Sequence, residues 1–219
     1  NSNWTFEAEP KNAWLGTVSS DFADPANWSM GKVPGEGSDF SVDSENLMVI
    51  STPVSFASAL VCGHANVVID AAVSVVGDLV VSNSATLSCD HPVSAGNVYV
   101  HSGAALTHSA NGKAQEHWID LQAVGNLEVV SGGRLHADSK GHTGAGGGPG
   151  VSGNGASHGG RGWSGPTCYG SIFCPTNLGS VGGSGNGNSP GGGAIRLRVG
   201  GEAKIDGTLS ANATGTGSG

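Results

Sequence analysis

The groups best suited to acid–base chemistry gather in the second half of the chain: His136, Asp138, His142 and His158, with Arg161 and Trp163 close behind. A histidine beside a carboxylate can pass protons to and from a glycosidic oxygen, so the set suits polysaccharide cleavage. Spacing alone brings no two of these groups to one point, and solvated turn residues account for the same pattern. No catalytic residue is therefore assigned. Trp163, Tyr169, His158 and Arg161 stand out instead as candidate ligand-binding groups, the two rings as stacking surfaces for a sugar.

Other chemistries lack their signatures. The eight histidines form neither His-x-x-x-His nor His-Glu-x-x-His, so no metal site is expected. Asp21, Asp24, Asp39 and Asp43 cluster without the Asp-x-Asp-x-Asp-Gly loop of a calcium site, and turn and capping roles explain them. Gly148 to Gly153 fits Gly-x-Gly-x-x-Gly, a match expected by chance in so glycine-rich a stretch, and it lacks the following helix and the downstream acid that a dinucleotide site needs. No phosphate loop and no nucleophile elbow occurs, so the expected cofactor set is none.

Four cysteines, Cys62, Cys89, Cys168 and Cys174, suggest two disulfides and an oxidising compartment. Cys168 and Cys174 can close a small loop, and Cys62 and Cys89 lie about one repeat apart; buried thiols or a metal site are the competing readings. Three sequons, at Asn3, Asn27 and Asn212, permit glycosylation in a eukaryote. A net charge of −8 with nine scattered Lys and Arg argues against nucleic acid, although an acidic partner could still meet a local cationic patch. No run of eighteen apolar residues is present, so no transmembrane segment is expected. The chain opens on Asn with no visible signal peptide and breaks off inside a second glycine-rich run, which reads as a trimmed part of a longer protein.

The elements that must position these groups are announced by one repeated phrase. Gly77-Asp78-Leu79-Val80-Val81 returns as Gly96-Asn97-Val98-Tyr99-Val100 and as Gly125-Asn126-Leu127-Glu128-Val129, each followed by a turn and a second short apolar run. A shortened copy begins at Gly201. Repeats of twenty to thirty residues imply stacked units. Scarce helix formers and abundant Val, Ser, Thr and Gly favour short strands and tight turns. Leu47 to Ile50, Ala59 to Cys62 and Val67 to Ile69 read as further strands.

Residues 1–43 form an aromatic section with Trp4, Trp14, Trp28, Phe6, Phe22 and Phe40, which reads as an N-terminal cap over the apolar end of a stack or as a sugar-stacking platform. Residues 44–219 read as the stack. Within it, residues 141–193 hold 21 glycines in 53 positions and read as an ordered insertion against the side of the column, or as a disordered loop. Residues 118–138 and 194–212 correspond along their length with a two-residue gap, so they are expected to be consecutive units, with Asp120 beside Arg196.

Trp14 to Pro34, with its Trp-x-Gly opening, Asn27-Trp28-Ser29 and Val33-Pro34, resembles the opening of large secreted bacterial proteins, autotransporter-like adhesins among them. His158-Gly159-Gly160-Arg161-Gly162, Gly191-Gly192-Gly193-Ala194-Ile195 and Asp206-Gly207-Thr208-Leu209 resemble a glycine-rich β-helix family of exported proteins, mostly without assigned function. Gly31-Lys32-Val33-Pro34-Gly35 and the strands after it are similar to a domain of cell-surface and hyaluronan-degrading proteins. These resemblances imply an all-β, right-handed parallel β-helix, exported to the cell surface or beyond it. The expected function is a non-enzymatic structural or adhesive domain of a larger surface protein, facing glycans or other copies of itself. A polysaccharide lyase or hydrolase, or a carbohydrate-binding module, is the alternative on the same column.

Overall fold

The computed structural model describes residues 12–144, 158, 168–171, 173, 175–181 and 189–213. Among these residues there is no α-helix, and no helix is long and apolar enough to cross a membrane. The described residues form fifteen strands in two sheets, and every strand pair among them is parallel.

The strands fall into tiers with three strand positions each. The first position is held by β3 (Val54–Phe56), the start of β6 (Val73–Val81), the start of β8 (Val93–Val100), β10 (Ile119–Ala123) and β13 (Ile195–Val199). The second position is held by β1 (Asp39–Val42), β4 (Ser58–Val61), the ends of β6 and β8, β11 (Leu127–Val129) and β14 (Ala203–Ile205). Both positions belong to the nine-stranded sheet. The third is the six-stranded sheet: β2 (Met48–Ile50), β5 (Asn66–Ile69), β7 (Thr86–Cys89), β9 (Ala105–Thr107), β12 (Arg134–His136) and β15 (Thr208–Ser210). In that sheet Met48 pairs with Val67, Val67 with Leu87, Leu87 with Leu106, Leu106 with Leu135 and Leu135 with Leu209. The steps are therefore 19, 20, 19, 29 and 74 residues. The last two tiers carry surplus chain, and in both it leaves at one corner, between the third position and the next first position.

The repeated phrase has a physical cause at each of its fixed positions. Its opening glycine lets one tier approach the next: a Cβ on Gly77 would sit 2.9 Å from the Ala57 carbonyl oxygen, and one on Gly96 2.5 Å from that of Val76. Its second residue joins tiers in a ladder. Asn97 Nδ2 donates to Asp78 Oδ1 at 2.8 Å, Asn126 N to Asn97 Oδ1 at 2.9 Å, and Glu202 N to Asn126 Oδ1 at 2.9 Å. Its eighth residue turns the chain with positive φ, 67° at Ser84, 80° at Gly103 and 84° at Gly132.

Alternation in each strand sends one set of side chains inward. Val81, Leu87, Val100, Leu106, Val129 and Leu135 are buried at 1% exposure or less. At the start of the stack Trp14, Phe22 and Trp28 pack edge-to-face and meet Phe40 of β1, which stacks on Phe56 of β3 at 4.8 Å between ring centres. β1 thus lies inside the segment 1–43 that the sequence reads as a cap, and it pairs with β4 as part of the sheet. The expected strands at 47–50, 59–62 and 67–69 form within a residue of those bounds; β3 was not foreseen.

Candidate functional site

The corner where the surplus chain leaves is the most elaborate part of the molecule. Residues 108–118 form a short insertion between β9 and β10, and the glycine-rich segment follows β12. Asn111, buried, ties the two together. Its Nδ2 donates to the His117 and Lys140 carbonyls, both at 2.8 Å, and its Oδ1 accepts from the backbone of Glu116 and His117. Thr143 donates from its backbone N to Gly112 O and from its hydroxyl to Asn111 O. The described glycines then interleave as bare backbone. Gly141 N donates to Gly191 O at 2.8 Å, His142 N to Gly179 O at 3.0 Å, and Gly179 N to Gly192 O at 2.8 Å. A Cβ on Gly141, Gly191 or Gly192 would overlap the backbone of its neighbour.

Beneath this layer lie histidines. His108, fully buried, continues the inward row of the third strand position, one residue beyond Thr107. Its Nδ1 donates to Ser109 O at 2.8 Å, which leaves Nε2 deprotonated in the neutral ring; that atom faces Gly193 and the Ala137 methyl and has no partner. Burial pushes the His108 pKa down to about 4. The space for this imidazole exists because position 193 is glycine. Asp90, also buried, accepts from Ser109 N at 2.6 Å and stands 3.9 Å from His117 Nδ1.

Two of the candidate acid–base groups, His136 and Asp138, come side by side, and the others find separate partners. His136 Nδ1 stands 4.0 Å from Asp138 Oδ2. Burial, and the nearby Arg134, lower the His136 pKa. Burial alone would raise the Asp138 carboxyl, but hydrogen bonds from Asn212 N and the Ser210 hydroxyl outweigh it and hold it below the usual carboxylate value. His142 is buried, with its pKa lowered by burial against opposing hydrogen bonds to the backbone of Lys113 and Gly112. His158 meets Tyr169 instead, their rings edge-to-face at 5.0 Å. Arg196 reaches Asp120 from the adjacent tier, as the register between residues 118–138 and 194–212 requires: Ile119 pairs with Ile195 and Asp120 with Arg196, and Arg196 Nε donates to Asp120 Oδ1 at 3.0 Å. Arg198 Nη2 adds a second ion pair to Asp120 at 3.2 Å. Asp120 itself is buried beneath the two guanidinium groups.

Of the four proposed ligand-binding residues, His158 and Tyr169 come together, and Trp163 and Arg161 lie outside the described residues. The Tyr169 hydroxyl is already engaged with Leu178 O at 2.8 Å and Ser180 Oγ at 2.6 Å. The residue that sequence reasoning missed is Trp118. It is half-buried and lines a cleft of about 250 Å³ with Gln115, Asn177 and Arg196. A second cleft, of about 630 Å³, adjoins it, sharing Pro175, Asn177, Ala194 and Ile195, and has His158 on its wall.

Two expectations are corrected. No disulfide is formed among the described residues. Cys89 ends β7 in the six-stranded sheet with a free, buried thiol, its pKa raised by burial and by Asp90. Cys62 follows β4 in the other sheet and donates its Sγ to Val42 O at 3.4 Å. The 27 residues between them exceed the repeat of 19 or 20, so the two fall at different positions of the tier and the sulfurs do not meet. Cys168 is an exposed free thiol, and Cys174 lies outside the described residues. The second correction is Asn27. It is fully buried, with Oδ1 accepting from Val18 N and Ser19 N and Nδ2 donating to Ser19 Oγ and Asp21 O, so no glycan can be carried there in the folded protein. Asn212 is exposed, and Asn3 lies outside the described residues. Asp21 and Asp24 accept from the backbone two residues on, as turn residues do.

The chain matches no family profile, and comparison with curated proteins and with solved structures finds no match.

Proposed function

We propose that this chain is a right-handed parallel β-helix of an exported surface protein, non-enzymatic, with a structural or adhesive role, presenting its side faces to glycans or to neighbouring copies. One observation carries the reading. The outward residues Ser55, Ser74, Ser94, Gln122 and Arg198 stack one per tier through direct pairing, along an open groove of about 530 Å³. Rungs about 4.8 Å apart make a long, stiff, polar strip parallel to the stack. Right-handed winding follows from the near-universal hand of parallel crossover connections.

The aromatic cluster at the first tier serves as its cap, and the glycine-rich segment as an insertion between the fifth and sixth tiers, after β12 and before β13. Export and an extracellular location rest on the resemblance of residues 14–34 to secreted openings; the cysteines add nothing to it. A passive role is favoured over a polysaccharide lyase or hydrolase because only His136 and Asp138 of the candidate acid–base groups stand together, while His142, His158 and Arg196 are each engaged with other groups.

The test is a panel of neutral, uronic-acid and sulfated polysaccharides offered to the immobilised chain, together with sedimentation velocity. Retention of at least one class, or self-association, is the expected result. Release of new reducing ends or unsaturated uronates from any polymer would replace the passive role with an enzymatic one.

A further inference from the structure

We infer that the corner is an acid-triggered latch: at neutral pH it holds the described glycine backbone, residues 177–181 and 189–193, against the column, and in acid it lets that backbone go while the tiers stay folded. A set of orphaned atoms points to it. Among the described residues, four buried side-chain nitrogen or oxygen atoms lack a hydrogen bond: His108 Nε2, His117 Nδ1, His136 Nδ1 and His142 Nδ1. All four are imidazole nitrogens, and all four rings belong to this corner. A buried polar atom without a partner is destabilising, so four of one kind in one place call for a reason. Imidazole supplies one, as the side chain whose ordinary protonation range lies around neutrality.

Two of the rings face a carboxylate and two do not. His117 Nδ1 stands 3.9 Å from Asp90 Oδ2 and His136 Nδ1 4.0 Å from Asp138 Oδ2, so a proton on either gains an ion pair. His108 Nε2 lies instead against Gly193 and the Ala137 methyl. His142 meets the backbone of Lys113 and Gly112, and no carboxylate among the described residues. His108 and His142 are therefore the trigger, and burial is the largest influence on both. On His108 the Ser109 carbonyl and Asp90, at the end of β7, favour a proton, while Lys140 and His117 oppose it.

The glycine layer leaves a charged ring no hydration. A Cβ at position 193 would overlap His108 Nε2, so no water fits between that atom and the glycine. Hydrating the protonated ring requires Gly193 to lift, which breaks the bond from its N to Ala137 O at 2.7 Å. His142 is itself part of the layer: its N donates to Gly179 O at 3.0 Å, and its O accepts from Gly191 N at 3.3 Å. Leu178, fully buried, is the apolar anchor that sets how far the pH must fall. The insertion 108–118 stays behind, held by His117 on Asp90. Gly179, Gly192 and Gly193 line the cleft of about 630 Å³, and Asn177 lines both clefts, so release dismantles them. The clefts are thus features of neutral pH, whatever they hold.

Linkage fixes the sign and the size. A histidine whose pKa is lowered in the closed form favours that form above its open-state value, and the preference is lost as pH falls. For His108, about 6.5 when open and about 4 when closed, the open-to-closed ratio rises about tenfold per pH unit between them, about 300-fold in all. His142 steepens the rise. The experiment is native-state amide exchange by NMR from pH 7 to 4, on the full chain and on the double variant His108→Leu/His142→Leu. It is read at Gly179 and Gly193, with Thr86 and Val98 of the tiers as reference. The expected ratio at the two glycines rises about 300-fold or more in the wild type and less than about tenfold in the variant, while the tier amides hold in both. An equal rise in the variant overturns the latch, as does a rise at Thr86 and Val98 that matches the glycines. Two wild-type readings serve should the variant melt early. A ratio at Gly193 that stays flat with pH overturns the latch, and so does a His108 ring signal that gains its proton near pH 6.5 with Gly193 still protected.

Discussion

The tiers up to β9 and the corner beyond it are built from opposite materials. In the tiers, aliphatic side chains stack rung on rung: Val67, Leu87 and Leu106 are buried to 1% exposure or less, and each step costs 19 or 20 residues. At the corner, side chains are replaced by bare glycine backbone laid over buried, neutral imidazoles. The first material gains free energy from apolar burial and tolerates acid. The second depends on close backbone approach and on histidines remaining uncharged. A stack can therefore keep a rigid shape while one corner is shaped, and exposed to regulation, independently.

The largest expected effect breaks the first material. Leu106→Ala removes a fully buried side chain from the third strand position and should cost about 2–5 kcal/mol of unfolding free energy, read by urea denaturation. Acid should break the second. His108 titrates near 4 when folded and near 6.5 when unfolded, so its contribution is complete above about pH 6.5 and is lost as pH falls towards 4. That lowering is worth about 3 kcal/mol. His136 and His142, whose pKa values are also lowered, act in the same direction. A stability curve against pH should show the fall, and His108→Leu should flatten it.

Gly193→Ala sharpens the same contrast. Its new methyl meets His108 Nε2 and the Ala137 methyl, and a cost of about 1–3 kcal/mol is expected. In a His108→Ala background that cost should shrink, a coupling that a double-mutant cycle reads directly. The smallest effect belongs to the ladder between tiers. Asn97→Ala removes the exposed bridge from Asp78 to Asn126 and should cost about 1 kcal/mol in thermal melts.

The sequence made the tiers visible because their physics repeats. The glycine and the asparagine of the phrase recur wherever one tier must approach and bond the next, and Asp120 facing Arg196 followed from aligning two such copies. What does not repeat was not visible. The exception is β3, Val54-Ser55-Phe56, whose Val-Ser recurs at Val73-Ser74 and Val93-Ser94 but which is too short for alternation to register. Cys62 and Cys89 are 27 residues apart, more than the 19 or 20 of one repeat, so one follows β4 and the other ends β7 in the other sheet. Asn27 matched a sequon although its amide is spent on local backbone. Trp118 was missed because Thr176 and Asn177, which line the cleft with it, lie far along the chain. One signal did point to its corner: the surplus of residues between β9 and β10.

The most direct test of the two-material account is residue-resolved hydrogen exchange at pH 7 and at about pH 4.5, corrected for intrinsic rates. The account predicts that the amides of Gly141, His142, Gly179 and Gly193 lose protection at the lower pH, while those of Val67, Leu87 and Val98 keep theirs. Loss of protection in both sets together, as one cooperative event, would contradict it.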